Sequence, residues 1–178
     1  VDWIDFVVRR LLIFNSLVKT QLRKAFWIYT IHTKAWRPCV FARFLVYCIK
    51  IMNMTENEIS RIVVNVCYKI HTKLGPGLLE SVYEAILYYE LTNRGLKVEW
   101  QKPLPVIWDE VFLDIGFRTD LIIEEKVIIE IKSVEQIANV HPKQLLTYLK
   151  ITGMKLGLLI NFNESLIKNG ITRIVNNL

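Results

Sequence analysis

From Thr55 onward the spacing of apolar residues switches between two periods, and the switches divide the chain into elements. Thr55-Glu56-Asn57-Glu58 forms a capping box, in which Thr55 accepts from the backbone N–H of Glu58 while the Glu58 carboxylate reaches back. Ile59, Ile62, Val63, Val66, Cys67 and Ile70 follow at helical spacing as one apolar face. Gly75-Pro76-Gly77 ends that helix. A second helix is predicted over residues 78–93, with Gly95 as its stop. The period then shortens to two. Residues 98–108 alternate and are interrupted by Pro103 and Pro105, as in an edge or bulged strand. Residues 111–123 and Val127–Lys132 are rich in β-branched side chains and flank Glu124-Glu125-Lys126, which reads as a hairpin. A helix over 141–152, a buried strand over 156–162 and a closing helix over 166–176 complete the order α-α-β-β-β-α-β-α. That order predicts an α/β fold, with a central mixed β-sheet of about four strands flanked by helices.

Residues 1–53 follow neither period. Aromatics mix with Lys and Arg, and no glycine occurs before Gly75. The apolar runs, such as 11–14 and 44–49, fall short of the ~18 residues that a membrane span needs. Asp2 and Asp5 precede the first of them and no small-residue cleavage site is evident, which argues against a signal peptide. Three readings stand: a basic amphipathic arm that touches membrane or nucleic acid, a helical extension packed on the main domain, or sequence upstream of a true start at Met52 or Met54. The abrupt change in composition favours the third. The expected division is a basic apolar extension over 1–53, helical or disordered and not native to the mature protein, and one folded domain over 54–178.

Charge follows the same boundary. Residues 1–53 hold nine Lys or Arg against two acids, whereas residues 54–178 hold fourteen against fifteen. The net charge of +6 therefore says little about what the domain binds. Cys39, Cys48 and Cys67 show no C-x-x-C spacing and no nearby histidine pair, which disfavours a zinc site or a disulfide framework. Reduced thiols and a cytoplasmic location are the expectation.

The predicted hairpin carries the most informative chemistry. Side chains two apart in a strand share a face, so Glu130 and Lys132 point one way and Ile129 and Ile131 the other. With a three-residue loop centred on Glu125, Asp120 falls opposite Glu130, with Cβ atoms about 5 Å apart. Two carboxylates so placed repel unless a cation lies between them. Mg2+ or Mn2+ suits such a site, held by Asp120, Glu130 and the Ile131 carbonyl. Lys132 beside it could orient or deprotonate an attacking water and neutralise charge developing on a phosphate. A Glu-Ile-Lys triplet is also common in solvated strand edges and cross-strand ion pairs. Here Ile128, Ile129 and Ile131 mark a strand buried on at least one face, where unpaired charge is costly.

Gly77-Leu78-Leu79-Glu80-Ser81-Val82-Tyr83 resembles the G-x-x-E-x-x-Y signature of the GxxExxY proteins, a family placed in the PD-(D/E)XK nuclease superfamily. The resemblance covers nearly all of residues 54–178, including Leu158-Leu159-Ile160-Asn161-Phe162 and the ending Ile174-Val175-Asn176-Asn177-Leu178, and stops short of residues 1–53. It implies a restriction-endonuclease-like core and a metal-dependent nuclease acting on DNA in preference to RNA. Glu80 would be the first acidic position, reaching the metal through water. Asp120 would be the motif's aspartate, and Glu130 and Lys132 its (D/E)-x-K. Gln144-Leu145-Leu146-Thr147-Tyr148 resembles the Q-x-x-x-Y element of RecB-like nucleases, with Gln144 and Tyr148 on one helical face. Thr119 stands where many members have proline. Glu80 also reads as a first-turn acid on the helix dipole, Tyr83 as a core residue, and His141 as a helix-start residue. A catalytically silent module binding nucleic acid or a partner is the alternative function. A homodimer is compatible with the sequence, and no membrane contact is expected for residues 54–178.

Overall fold

The computed structural model of the chain describes residues 54–108 and 111–178. The arm, the packed extension and the upstream-sequence readings of residues 1–53 all lie outside the described residues.

Helix α1 (Glu56–Leu74) opens on the capping box, with the Thr55 amide donating to Glu58 Oε2 at 2.8 Å and the Glu58 amide to Thr55 Oγ1 at 3.3 Å. It buries Ile59, Val63, Val66, Cys67 and Ile70. Helix α2 (Glu80–Thr92) starts two residues later than its apolar pattern suggests, because Leu79 is extended at the N-cap. Five short strands follow: β1 (Val98–Trp100), β2 (Pro103–Trp108), β3 (Val111–Arg118), β4 (Leu121–Ile123) and β5 (Val127–Lys132). Helix α3 (Val140–Thr152), β6 (Leu156–Asn161), a single turn α4 (Ile167–Gly170) and β7 (Ile171–Val175) complete the chain.

The main sheet has five strands in the order β1-β4-β5-β6-β7, and β2 and β3 pair apart from it. Only β5 and β6 run parallel, joined through α3, so the sheet is mixed. Its central strands are buried on both faces. Val127, Ile129, Ile131, Leu158 and Ile160 pack with α1 and α2 on one side. Ile122, Ile128 and Leu159 pack with Leu145, Tyr148 and Leu149 of α3 on the other. Gly157 lets α3 approach β6 closely, since a Cβ there would lie 2.9 Å from the Leu145 side chain. No helix among the described residues is long and apolar enough to cross a membrane.

Two expectations are corrected. The long strands over 98–108 and 111–123 are each broken in two. Their pairing keeps one register across the break, Trp100 opposite Leu121 and Pro103 opposite Arg118, but the ladder bends at Gln101, whose φ is 48°. The register then shifts between Leu104 and Val106, around Pro105, which has no N–H to give a ladder. The second correction is the closing helix over 166–176, which shrinks to the four residues of α4 and yields to β7. Ile171, Thr172, Ile174 and Val175 favour a strand, and Gly170 sits where a Cβ would fall 2.1 Å from the Asn161 carbonyl oxygen. That fifth strand is the one the helical reading concealed.

Candidate active site

The bend between the β1–β4 and β2–β3 pairs puts Asp120 at a corner. The β4–β5 ladder has the register expected from a three-residue loop, with Leu121 opposite Ile129 and Ile123 opposite Val127. Glu124 and Glu125 make the turn with φ of 52° and 56°. One rung beyond Leu121, where Asp120 meets Glu130, the backbone ladder stops. The Asp120 side chain takes over, accepting from the Ile131 amide at 2.7 Å. Burial, opposed in part by that hydrogen bond and by Lys132, raises the Asp120 carboxyl above its ordinary range.

Glu130 is 6% exposed, and its Oε1 is buried with no hydrogen-bond partner. Its carboxyl is pushed up to about 8, first by burial and next by the charge of Asp120, with Lys132 opposing. The Lys132 ammonium lies 3.9 Å from Glu130 Oε2 and donates to the Ile131 carbonyl at 3.0 Å. A strand residue's N–H and C=O point the same way, so the Ile131 carbonyl faces the side from which Asp120 approaches.

The start of α2 meets the end of β5. Glu80 Oε1 accepts from the Ser133 amide at 2.9 Å. Tyr83 is fully buried, stacked on Phe162 with ring centroids 4.2 Å apart. Its hydroxyl donates to the Gly75 carbonyl at 2.6 Å, which favours the core reading of this residue. A cleft of about 660 Å³ opens here, lined by Gly77 to Ser81, Glu84, Asp120, Ser133 and Asn163. Glu80 and Asp120 thus share a cleft. Glu130, Lys132, Gln144 and Tyr148 do not line it and belong to the α3 side of the sheet.

On that side Gln144 Nε2 donates to the Tyr148 hydroxyl, as their spacing of four predicts. Tyr148 is 2% exposed and tilts against Phe117 at 4.9 Å between centroids. Its hydroxyl is raised by burial, with Glu130 and Asp120 adding to the effect and Gln144 opposing it, so it shares the electrostatic surroundings of the two carboxylates. His141 is half-buried in the first turn of α3.

One acidic residue went unassigned in the sequence. Glu84 is 5% exposed, bonded to Trp100 Nε1 and, at 3.4 Å, to Gln101 Nε2. Burial raises its carboxyl, and the charge of Asp120 adds to this. The available signal was its place beside Tyr83 and Leu87 on the apolar stripe of α2, where a carboxylate costs free energy unless partnered.

Among the described residues no three His, Cys, Asp or Glu side chains converge as a ready metal cluster. A cation would therefore rest on two carboxylates, a backbone carbonyl and water, a donor set that suits a hard divalent ion. The unpartnered Glu130 Oε1 beside a second carboxylate fits that role.

A family model of the PD-(D/E)XK nuclease superfamily matches residues 57–174. No curated protein and no solved structure matches the chain. The matched segment contains α2, the Asp120 corner, the Glu130–Lys132 strand and the mixed sheet that joins them, and this chain belongs to the PD-(D/E)XK nuclease superfamily.

Proposed function

We propose that the protein is a Mg2+- or Mn2+-dependent nuclease of the GxxExxY group that hydrolyses phosphodiester bonds in DNA in preference to RNA. One observation carries the reading: Glu130 is a buried carboxylate with an unpartnered oxygen, next to Asp120 and 3.9 Å from the Lys132 ammonium. In this reading Asp120, Glu130 and the Ile131 carbonyl would hold the cation, and Glu80 would take the first acidic position, reaching it through water. A cation held there would supply Lewis acidity at the scissile phosphate and would lower the pKa of an attacking water. Lys132 orients that water and neutralises charge growing on the phosphate oxygens. Gln144 and Tyr148, joined by their hydrogen bond, act as the Q-x-x-x-Y pair that orients substrate beside the carboxylates.

The second reading, a silent module that binds nucleic acid or a partner, has one observation in its favour. Lys132 already donates to the Ile131 carbonyl and lies near Glu130, an arrangement that steadies the carboxylates without a cation. Plasmid-nicking and exonuclease assays separate the two. The nuclease reading expects cleavage only with Mg2+ or Mn2+, and a loss of roughly 100-fold or more in Lys132→Ala and Asp120→Ala. Equal cleavage by wild type and both variants contradicts it, and metal-independent binding without turnover favours the silent module.

A further inference from the structure

Ser133 follows the Glu130-Ile131-Lys132 segment and has no part in the chemistry above, yet it ties that strand to Glu80 of α2 and to Leu78 just before the helix. Its amide donates to Glu80 Oε1 at 2.9 Å, and its hydroxyl donates to the Leu78 carbonyl at 2.7 Å. Leu78 is also held from its other end, because its amide donates to the Tyr83 hydroxyl at 3.3 Å. The next residue of β5's continuation is clamped as well. The Asn161 side chain accepts from the Val134 amide at 3.1 Å and donates to the Val134 carbonyl at 2.8 Å.

Of α2's own side chains Tyr83 grips this start through the Leu78 amide, and Ser133 adds a grip from the end of β5. Leu79 is the N-cap and offers no side-chain cap, so the entry angle of the helix is set by what grips Leu78. Glu80, two residues after Leu78, is the first residue of the helix. A hydrogen bond to an exposed carbonyl is readily replaced by water, so its loss costs the fold little. Water cannot reproduce the position that the serine hydroxyl imposes.

We infer that Ser133 is a positioning residue: by holding the Leu78 carbonyl and the Glu80 carboxylate at the end of β5, it places Glu80 for cation binding at the Asp120 corner. This rests on the metal reading of the site. It goes beyond it in naming the residue that makes the first acidic position a partner of the strand carboxylates.

The test is a calorimetric titration of the full chain with Mn2+, alongside thermal melts without metal, for wild type, Ser133→Ala and Ser133→Thr. Ser133→Ala is expected to raise the Mn2+ Kd about tenfold, as loss of a residue supporting a metal ligand does. Its Tm stays close to wild type, and Ser133→Thr, which keeps the hydroxyl, restores the affinity. An unchanged Kd in Ser133→Ala overturns the inference alone, as does a loss that the threonine variant shares or that tracks a fall in Tm. A wild type that takes up no Mn2+ overturns the metal reading and this inference together.

Discussion

A carboxylate at position 130 puts a charge where its surroundings are apolar, with Ile128 on the same face and Tyr148 and Leu149 packed against that face from α3. The consequence is a pH dependence with a definite sign. In the fold Glu130 keeps its proton up to about pH 8, whereas the unfolded chain releases it near the ordinary carboxylate pKa. Between those values the native state binds more protons than the unfolded state, so stability falls as pH rises from about 5 to 8. The loss attributable to this one group is on the order of a few kcal/mol. Glu130→Gln removes it, and melts of wild type and variant across that range should converge at low pH and separate at high pH, the variant being the more stable. A wild-type Tm that does not fall over this range contradicts the burial argument. At this scale the sequence was informative where strand period and turn length acted together: the three-residue loop placed Asp120 level with Glu130, and the ladder has that register. Glu84 escaped because its apolar-face position became meaningful only once Trp100 and Gln101 were seen to reach it.

Elements were legible where one local signal dominated. The capping box and apolar stripe of α1 needed no tertiary partner to be read, and the β-branched run of β5 could hardly be anything but a strand. A bend that preserves register leaves no mark on periodicity, so the β1–β2 and β3–β4 runs look continuous in the sequence. The last element failed for a different reason. Residues 166–176 carry apolar residues at spacings that a short helix also satisfies, and the decisive constraint, the closeness of Gly170 to the Asn161 backbone, is tertiary. Gly170→Ala should therefore cost roughly 2 kcal/mol or more, since the clash is with main chain that has nowhere to move. A fall in Tm of roughly 10 °C is expected for a domain of this size. A melt within a degree or two of wild type would show that the α4–β7 junction adjusts freely.

At the scale of the whole molecule, the mixed sheet brings together groups that lie far apart in the chain. Glu80 begins α2, Asp120 stands at the bend before β4, Glu130 and Lys132 end β5, and Gln144 and Tyr148 lie on the crossover helix. The sequence offered these as a constellation by resemblance, and the fold arranges them about one end of β5, with Glu80 and Asp120 in a cleft and the others on the α3 side. The division between those two sides could not be read from sequence, because it depends on where the β4–β5 ladder stops. The basic charge of the chain proved a poor guide, since it lies in residues 1–53 and the domain is nearly neutral. In the proposed reading the Asp120 corner and Glu130 share a divalent cation. The most direct measurement is a crystal of the protein soaked in Mn2+, with data collected at the manganese absorption edge. The account predicts one anomalous peak between the Asp120 and Glu130 carboxylates, within coordination distance of the Ile131 carbonyl. A well-soaked crystal with no peak there, or with manganese bound only elsewhere, contradicts it.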